Sequence, residues 1–218
     1  MLEAVLFDWN NTLVHLQWDD ECVVAGHRAA LGHDDPEFTA RWRELLLGES
    51  REYRPYEELL AELGVEDPGG FIDREHEVWR QQYAVLASAA ALLESLRDRG
   101  LKTGLIANSW PDPARILRAD AEALGLAAHL DVMVFSGDVG VRKPASEIFL
   151  RACEDLGVDP AAALFVGDDL ERDVQAAASV GMTTAQALWF RADEHRAIEP
   201  DFTAFTAMDV LNVVRRLA

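Results

Sequence analysis

The feature that most constrains the fold is a regular alternation of short apolar runs and helical patterns in the second half of the chain. Such alternation with short connections predicts a parallel sheet that is covered by helices on both faces. Runs such as ALFVG at 163–167 are continuously apolar, as expected for strands buried on both sides. The predicted strands are 102–108, 129–136, 163–168, 183–188 and 201–205, and the predicted helices are 90–100, 114–125, 145–157, 170–181 and 208–218.

A further apolar run, AVLFDW at 4–9, is separated from this array by about 70 residues with helical spacing. We therefore expect an α/β, doubly wound, mainly parallel sheet formed by residues 1–13 and 87–218, with a helical cap inserted at 14–86. Ligands of open parallel sheets bind beyond the carboxyl ends of the strands. Because the insertion leaves the sheet directly after its first strand, the cap is expected to lie over that site.

Charge and composition exclude several classes of protein. The 218 residues include 39 acidic and 20 basic side chains, a net charge of −19, which argues against nucleic-acid binding. No apolar run reaches the length of a membrane span, and the first residues lack the basic region of a secretory signal. Cys22 and Cys153 are expected to be reduced core thiols of a cytoplasmic protein. The oligomeric state stays open.

Polar residues follow the carboxyl ends of the predicted strands, where they converge on one edge of the sheet. Several carboxylates in one place repel each other unless a hard divalent cation such as Mg²⁺ holds them. An ammonium group and neighbouring backbone N–H groups can together bind a phosphoryl group. A carboxylate at the end of a strand can act as the nucleophile that attacks it. The residues concerned are Asp8, Asn10 and Thr12; Ala107, Asn108 and Ser109; Lys143; and Asp168, Asp169 and Asp173.

Three motifs occur in order, each at a strand end: DWNNT at 8–12, Lys143-Pro144, and Gly167 to Asp173. In these motifs and in the position of the inserted helices, the sequence resembles the haloacid dehalogenase superfamily, in the subgroup of phosphatases with a helical cap. The corresponding family motifs are DxDGT, KP and GDxxxxD. The resemblance implies Mg²⁺-dependent hydrolysis of a small phosphorylated substrate. It covers nearly the whole chain.

The resemblance also assigns roles to single residues. Asp8 would be the nucleophile and a Mg²⁺ ligand, and Asn10 would bind Mg²⁺ through its backbone carbonyl. Asp168 would be the third protein ligand, with Asp169 or Asp173 in direct contact with the ion or behind its ligands. Lys143 would neutralise the nucleophile and the phosphoryl oxygens, and Thr12 would order the first loop. His15 follows the first motif closely enough to reach the site.

Two positions depart from the family pattern. Asn10 stands where the phosphatases have the acid that protonates the leaving oxygen, and a carboxamide cannot exchange a proton near neutral pH. Ala107 stands where the family places Ser or Thr against the phosphate, so that Asn108, Ser109 and backbone N–H groups would have to bind it. Residues 51–56 could form a cap turn that faces the substrate, or a solvated loop.

These departures leave two alternatives to an active phosphatase. The chain could be a catalytically silenced member of the fold that binds a phosphorylated ligand or a partner. It could also be a 2-haloacid dehalogenase, since family dehalogenases lack the second acid of the first motif. They need no metal, however, and the cluster Asp168, Asp169 and Asp173 would be costly in a metal-free site.

Overall fold

A computed structural model describes residues 1–16, 19–47, 54–109, 112–190 and 198–217. Of the residues in the predicted cap turn, 51–53 lie outside this description. The strands are β1 Ala4–Phe7, β2 Val14–Leu16, β3 Tyr83–Val85, β4 Lys102–Ala107, β5 Val132–Phe135, β6 Ala163–Gly167, β7 Thr183–Ala187 and β8 Phe202–Ala204. The helices are α1 Asp20–Leu31, α2 Pro36–Leu47, α3 Tyr56–Glu62, α4 Pro68–Arg80, α5 Ala89–Arg97, α6 Ala114–Ala123, α7 Ser136–Val139, α8 Ser146–Leu156, α9 Ala176–Ser179 and α10 Ala207–Leu217.

Six strands form one parallel sheet in the order β5-β4-β1-β6-β7-β8. β1 lies in its interior, and its side chains alternate between the faces: Val5 and Phe7 pack with α5, α6 and α10, whereas Ala4 and Leu6 pack with α8 and α9. All four residues of β1 are fully buried. The predicted α/β class with a doubly wound parallel sheet is therefore confirmed.

Two local features differ from the sequence-based expectation. The helix predicted at 170–181 begins as a π-helical segment, Leu170–Gln175, and continues as α9. The strand predicted at 129–136 is shorter, because Ala127–His129 form a 3₁₀ turn before β5 and Ser136 already begins α7. Cys22 and Cys153 are buried and unpaired. Among the described helices, none is long and apolar enough to cross a membrane.

A second, two-stranded sheet forms at the base of the helical segment. β2 and β3 pair antiparallel, with His15 opposite Ala84; we call this pair the β2–β3 ribbon. The sequence did not indicate β2 and β3, because three residues beside helical patterns carry no distinct periodicity. The four helices α1 to α4 lie between these strands in the chain. The division of the chain at residues 14 and 86 stays a prediction.

Helices α1 to α4 pack around their own apolar cluster, which includes Trp42, Tyr56, Phe71 and Trp79. Asp19 begins α1 by accepting the N–H of Cys22, and Gly32 ends it in the left-handed conformation, at φ 80°. α6, which covers the large sheet, contributes one residue to this cluster: Ile116, which is 3% exposed.

Ion pairs flank Ile116 along the contact between α4 and α6. Residues 73, 76 and 80 share one face of α4, since they are spaced by three and four positions. Between α4 and α6, the contact therefore combines the apolar side chain of Ile116 with several charged groups. The pairs are Asp73 with Arg115, His76 with Asp112 (2.9 Å), and Arg80 with the fully buried Asp120 (2.7 Å).

Replacing Ile116 with Ala tests this connection. Removal of a buried Ile side chain costs about 2–5 kcal/mol, so we expect the free energy of unfolding to fall by that amount in urea denaturation. We also expect faster amide hydrogen exchange in α4. Leu150→Ala is the control, because Leu150 is 46% exposed and its truncation should change stability by less than about 0.5 kcal/mol. Equal effects of the two substitutions would contradict this role of Ile116.

Candidate active site

The register of the three central strands brings the predicted site residues together. Phe7 lies opposite Leu105 of β4 and Val166 of β6, so the three strands end at nearly the same height. Asp8 continues the pairing through its backbone N–H, which donates to the carbonyl of Val166 at 2.9 Å. The residues that follow each strand therefore face one another at the carboxyl edge of the sheet.

Lys143 is the centre of the cluster. Its ammonium nitrogen lies 2.5 Å from Oδ1 of Asp8 and 2.7 Å from Oδ1 of Asp173, and 5.5 Å from the centre of the Phe165 ring. The lysine is 3% exposed and Asp173 is 1% exposed. An ammonium group buried this deeply is stable only when it is paired, and here two carboxylates pair with it.

Burial and mutual repulsion set the electrostatics. Burial raises the pKa of Asp8 from its usual 3.8 to about 7; the carboxylates of Asp173 and Asp168 add to this, and Lys143 opposes it. Burial lowers the pKa of Lys143, but the charges of Asp173 and Asp8 outweigh it and raise that pKa above its ordinary value. The site therefore holds a charged lysine beside a nucleophile candidate that takes up a proton near neutral pH.

The three aspartates after β6 have different environments. Asp168 and Asp173 form a cluster with Asp8 in which one carboxylate oxygen from each lies within 4.8 Å of the others. The structure does not place Asp169 in this cluster. Its carboxylate accepts the backbone N–H groups of Glu171 and Arg172 and the guanidinium of Arg172. Asp169 thus begins the π-helical segment, as a cap does for a helix.

Two neighbours hold the lysine and its partner in place. The amide of Asn108 brackets the backbone of Lys143: Oδ1 accepts its N–H at 2.8 Å, and Nδ2 donates to its carbonyl at 3.0 Å. Gly167 leaves the space that Asp173 occupies, since a Cβ atom at Gly167 would lie 2.5 Å from Oδ2 of Asp173. That oxygen also accepts the N–H of Asp169 at 3.1 Å.

Ser109, which is expected to help bind the phosphate, and Thr12, which is expected to order the first loop, are both absent from the lining of the cavity at this cluster. The Ser109 hydroxyl is 2.9 Å from the N–H of Gly137, and the Ser109 N–H donates to Ser136 Oγ at 2.9 Å. This hydroxyl therefore stabilises the start of α7 and does not line the cavity. Thr12 is fully buried, and its carbonyl accepts the indole N–H of Trp189 at 2.8 Å. It thus belongs to the packing of the first loop.

The cluster lines an open cavity of about 460 Å³, a size that suits a small-molecule ligand. Two arginines at this cavity, Arg142 in the loop before Lys143 and Arg172 in the π-helical segment, were not indicated by the sequence, since a single arginine carries no spacing signal. Every described lining residue belongs to the sheet domain. These residues are Asp8, Trp9, Asn10, Asn11, Ala107, Asn108, Arg142, Lys143, Asp168, Arg172 and Asp173.

Asn11 is a further residue that sequence reasoning missed. Its side chain connects Asp168 to His15: Nδ2 donates to Oδ2 of Asp168 at 3.2 Å, and Oδ1 lies 2.7 Å from Nδ1 of His15. The sequence did offer one indication: Asn11 is the fourth residue of DWNNT, the position at which the family pattern DxDGT has glycine. His15, which the sequence placed near the site, reaches it through this amide.

The donor set fits a hard divalent cation. Three buried carboxylates with one lysine between them leave a net negative charge, and oxygen ligands are those that Mg²⁺ prefers. Both oxygens of Asp173 already accept hydrogen bonds, one from Lys143 and one from Asp169. Asp8 and Asp168 are thus the side chains best placed to hold an ion, with Asp173 fixing the lysine.

Comparison with known proteins gives a consistent result. A family described as haloacid dehalogenase-like hydrolase matches residues 2–181. The phosphoserine phosphatase of Thermus thermophilus is 33% identical over 62% of this chain, a match that spans only 54% of that protein. The glyceraldehyde 3-phosphate phosphatase of Methanopyrus kandleri is 27% identical over 100% of this chain and 99% of its own length.

Solved structures of similar proteins cover the whole chain. A haloacid dehalogenase-type phosphatase from Thermococcus onnurineus matches with a TM-score of 0.76 and 26% identity over 98% of both chains. A 2-haloacid dehalogenase from Pseudomonas syringae matches with a TM-score of 0.72 and 22% identity over 100% of both chains. At that identity, the second similarity shows a shared fold only.

The raised pKa of Asp8 predicts a pH dependence of stability. Between about pH 4 and pH 7, the metal-free folded chain retains on Asp8 a proton that the unfolded chain has released. The free energy of unfolding should therefore fall as pH rises through this window, by up to about 1.4 kcal/mol per pH unit from this group. Urea denaturation in EDTA should show this loss in the wild type but not in Asp8→Asn. Parallel pH profiles would contradict the assignment.

Proposed function

Because this chain belongs to the haloacid dehalogenase-like hydrolases, we propose that it is a Mg²⁺-dependent phosphatase of a small phosphorylated metabolite, with Asp8 as the nucleophile. The observation that carries the proposal is the buried cluster in which Lys143 joins Asp8 and Asp173 beside Asp168, facing an open cavity. The phosphatases of phosphoserine and of glyceraldehyde 3-phosphate among its relatives support this class of substrate.

Asp8, Asp168 and the backbone carbonyl of Asn10 are the groups that would hold the metal. When bound, Mg²⁺ would neutralise the carboxylates and polarise the phosphoryl oxygens. Lys143 needs no rearrangement to assist, because it already touches the nucleophile and lines the cavity. Its positive charge would offset the charge of the phosphoryl oxygens as they approach Asp8.

The proposed reaction has two steps. An oxygen of Asp8 attacks phosphorus in line, a new O–P bond forms, and the ester P–O bond breaks, so that the leaving oxygen departs with the electron pair. Water then attacks the phosphorus of the aspartyl phosphate and the P–O bond to Asp8 breaks, which restores the carboxylate; inorganic phosphate leaves, and the proton lost by the attacking water passes to the phosphate or to solvent. Closure of the inserted segment 14–86, the proposed cap, would exclude bulk water during these steps.

Asn10 limits the first step. Its side chain is exposed at the cavity and stands where a phosphatase would place the acid that protonates the leaving oxygen. Because a carboxamide does not donate a proton near neutral pH, the leaving oxygen must depart as an anion or take its proton from water. Substrates whose leaving groups are stable anions should therefore be preferred.

The alternatives make different demands on the same residues. A silenced binding protein would keep the metal and phosphate sites but would lack turnover because of Asn10. A 2-haloacid dehalogenase would need no metal, yet three carboxylates converge within 4.8 Å, and the single charge of Lys143 leaves them with a net negative charge that a metal ion would neutralise. The geometry therefore favours the metal-dependent phosphatase over the dehalogenase.

Turnover of p-nitrophenyl phosphate tests the proposal. We expect hydrolysis with Mg²⁺, none with EDTA, and a loss on the order of 10³-fold or more in Asp8→Asn, because no other group replaces the nucleophile. Glu147→Gln, at an exposed position of α8 that does not line the cavity, is a charge-matched control and should retain full activity. Metal and phosphate binding without turnover would identify a binding protein, and EDTA-insensitive chloride release from a 2-haloacid would identify a dehalogenase.

A leaving-group series tests the role of Asn10. Aryl and acyl phosphates should be hydrolysed much faster than alkyl phosphates. Asn10→Asp should raise the kcat for alkyl esters by a factor on the order of 10² to 10⁴, the usual contribution of a general acid, with a smaller effect on aryl esters. Equal rates for both classes in the wild type, or no gain in Asn10→Asp, would show that this position does not limit the reaction.

A further inference from the structure

We infer that Asn11 is a positioning residue that orients Asp168 for metal binding, and that His15 on the β2–β3 ribbon holds Asn11 in turn. This inference rests on the proposed metal site, and it assigns a role to a side chain that the family motif lacks. Neither residue is needed as a ligand. His15 positions Asn11, and Asn11 positions the carboxylate of Asp168.

The backbone explains how a side chain is accommodated here. Asn11 has a φ of 57°, in the left-handed region, and it is the one described residue other than glycine with a positive φ. Glycine takes this conformation at no cost, and asparagine is among the residues that tolerate it. The turn is therefore compatible with the family's glycine, and the amide of Asn11 adds contacts that glycine cannot make.

The orientation of the amide follows from the chemistry of its neighbours. An ionised carboxylate only accepts hydrogen bonds, so the Asn11 group 3.2 Å from Oδ2 of Asp168 is the NH₂ donor. Oδ1 of Asn11 then faces His15 and must accept, which requires a proton on Nδ1 of His15, 2.7 Å away. The two hydrogen bonds thus run in one direction, from the imidazole through the amide to the carboxylate.

His15 is itself fixed by two elements. Its backbone is part of β2, opposite Ala84 of β3. Its ring stacks on Phe190 with the ring centres 5.4 Å apart and the planes at 18°. The amide of Asn11 therefore bonds to a ring whose position is set by the ribbon and by the stacking on Phe190.

Asn11 and Lys143 act on different carboxylates of the cluster. Lys143 makes its two ion pairs with Asp8 and Asp173, and Asn11 donates to the third member of the cluster. Partners that orient metal ligands from behind typically account for 10- to 100-fold in metal affinity. The loss of the Asn11 amide should weaken metal binding by this factor and leave the fold intact.

The experiment is a calorimetric titration of the full-length chain with Mg²⁺. Asn11→Gly removes the amide without backbone strain, because glycine accepts a φ of 57°; its Kd for Mg²⁺ should rise about 10- to 100-fold. His15→Phe keeps a ring on Phe190 but removes Nδ1, and should raise the Kd in the same direction by a smaller factor. His33→Phe, at an exposed loop position, is the matched control and should not change it.

Steady-state rates separate positioning from a purely structural role. In Asn11→Gly, the Mg²⁺ concentration for half-maximal activity should rise with the Kd, whereas kcat at saturating Mg²⁺ should stay near the wild-type value. Equal Mg²⁺ affinity of Asn11→Gly and the wild type would overturn the inference. If Asn11→Gly does not fold, the Kd of His15→Phe for Mg²⁺ is the test, and a Kd equal to that of the wild type would overturn the inference.

The outcomes distinguish this inference from the proposed function. If the wild type binds Mg²⁺ more tightly than both variants but hydrolyses no phosphate ester, the positioning role stands and the phosphatase proposal falls. If the wild type hydrolyses esters and the variants bind Mg²⁺ equally well, only the positioning role falls. A wild type that binds no Mg²⁺ overturns both.

Discussion

The arrangement of the whole site depends on Lys143, which is buried between Asp8 and Asp173. The lysine comes from the loop after α7, and the two carboxylates follow β1 and β6, so a single ammonium group ties three separate segments together. Each charge would be unstable in this environment without the others. The contact thus requires the parallel register of the central strands, and it aligns the nucleophile candidate with the cavity.

This local arrangement opposes the charge of the molecule as a whole. A chain with a net charge of −19 repels anions at long range. At the cavity, however, Lys143, Arg142 and Arg172 stand beside the carboxylates, and a bound cation would shift the local balance further toward positive charge. The acidic surface and an anionic substrate are therefore compatible, because the field near the cavity differs from the average field.

The sequence was most informative where one residue type had a single physical explanation. Asp8, after a fully buried strand, could hardly be explained by structure alone, and the continuous apolar runs predicted a sheet covered on both faces. Asp169 and Asp173 could not be told apart, because a carboxylate four residues into a helix and one at its start have the same appearance in a sequence. In the folded chain, Asp169 caps the π-helical segment and Asp173 turns inward to Lys143.

Contacts between distant segments were the least predictable. The β2–β3 ribbon is too short to leave a pattern, and Ile116 has the spacing of any core residue in α6, although it packs with the other helical layer. The links from His15 to Asn11 and from Asn11 to Asp168 join residues 4 and 157 positions apart. A hydrogen bond of this kind depends on the positions of three separate backbone segments, which no local pattern encodes.

The close approach of Asp173 to Gly167 limits how this protein can vary. A methyl group at position 167 would overlap the carboxylate and Cβ of Asp173, with separations of 2.5 to 2.6 Å. No alternative side chain at 167 is compatible with the present position of Asp173, so the two residues can change only together. In a library of random variants, position 167 should therefore behave like an active-site residue, although it has no functional group of its own.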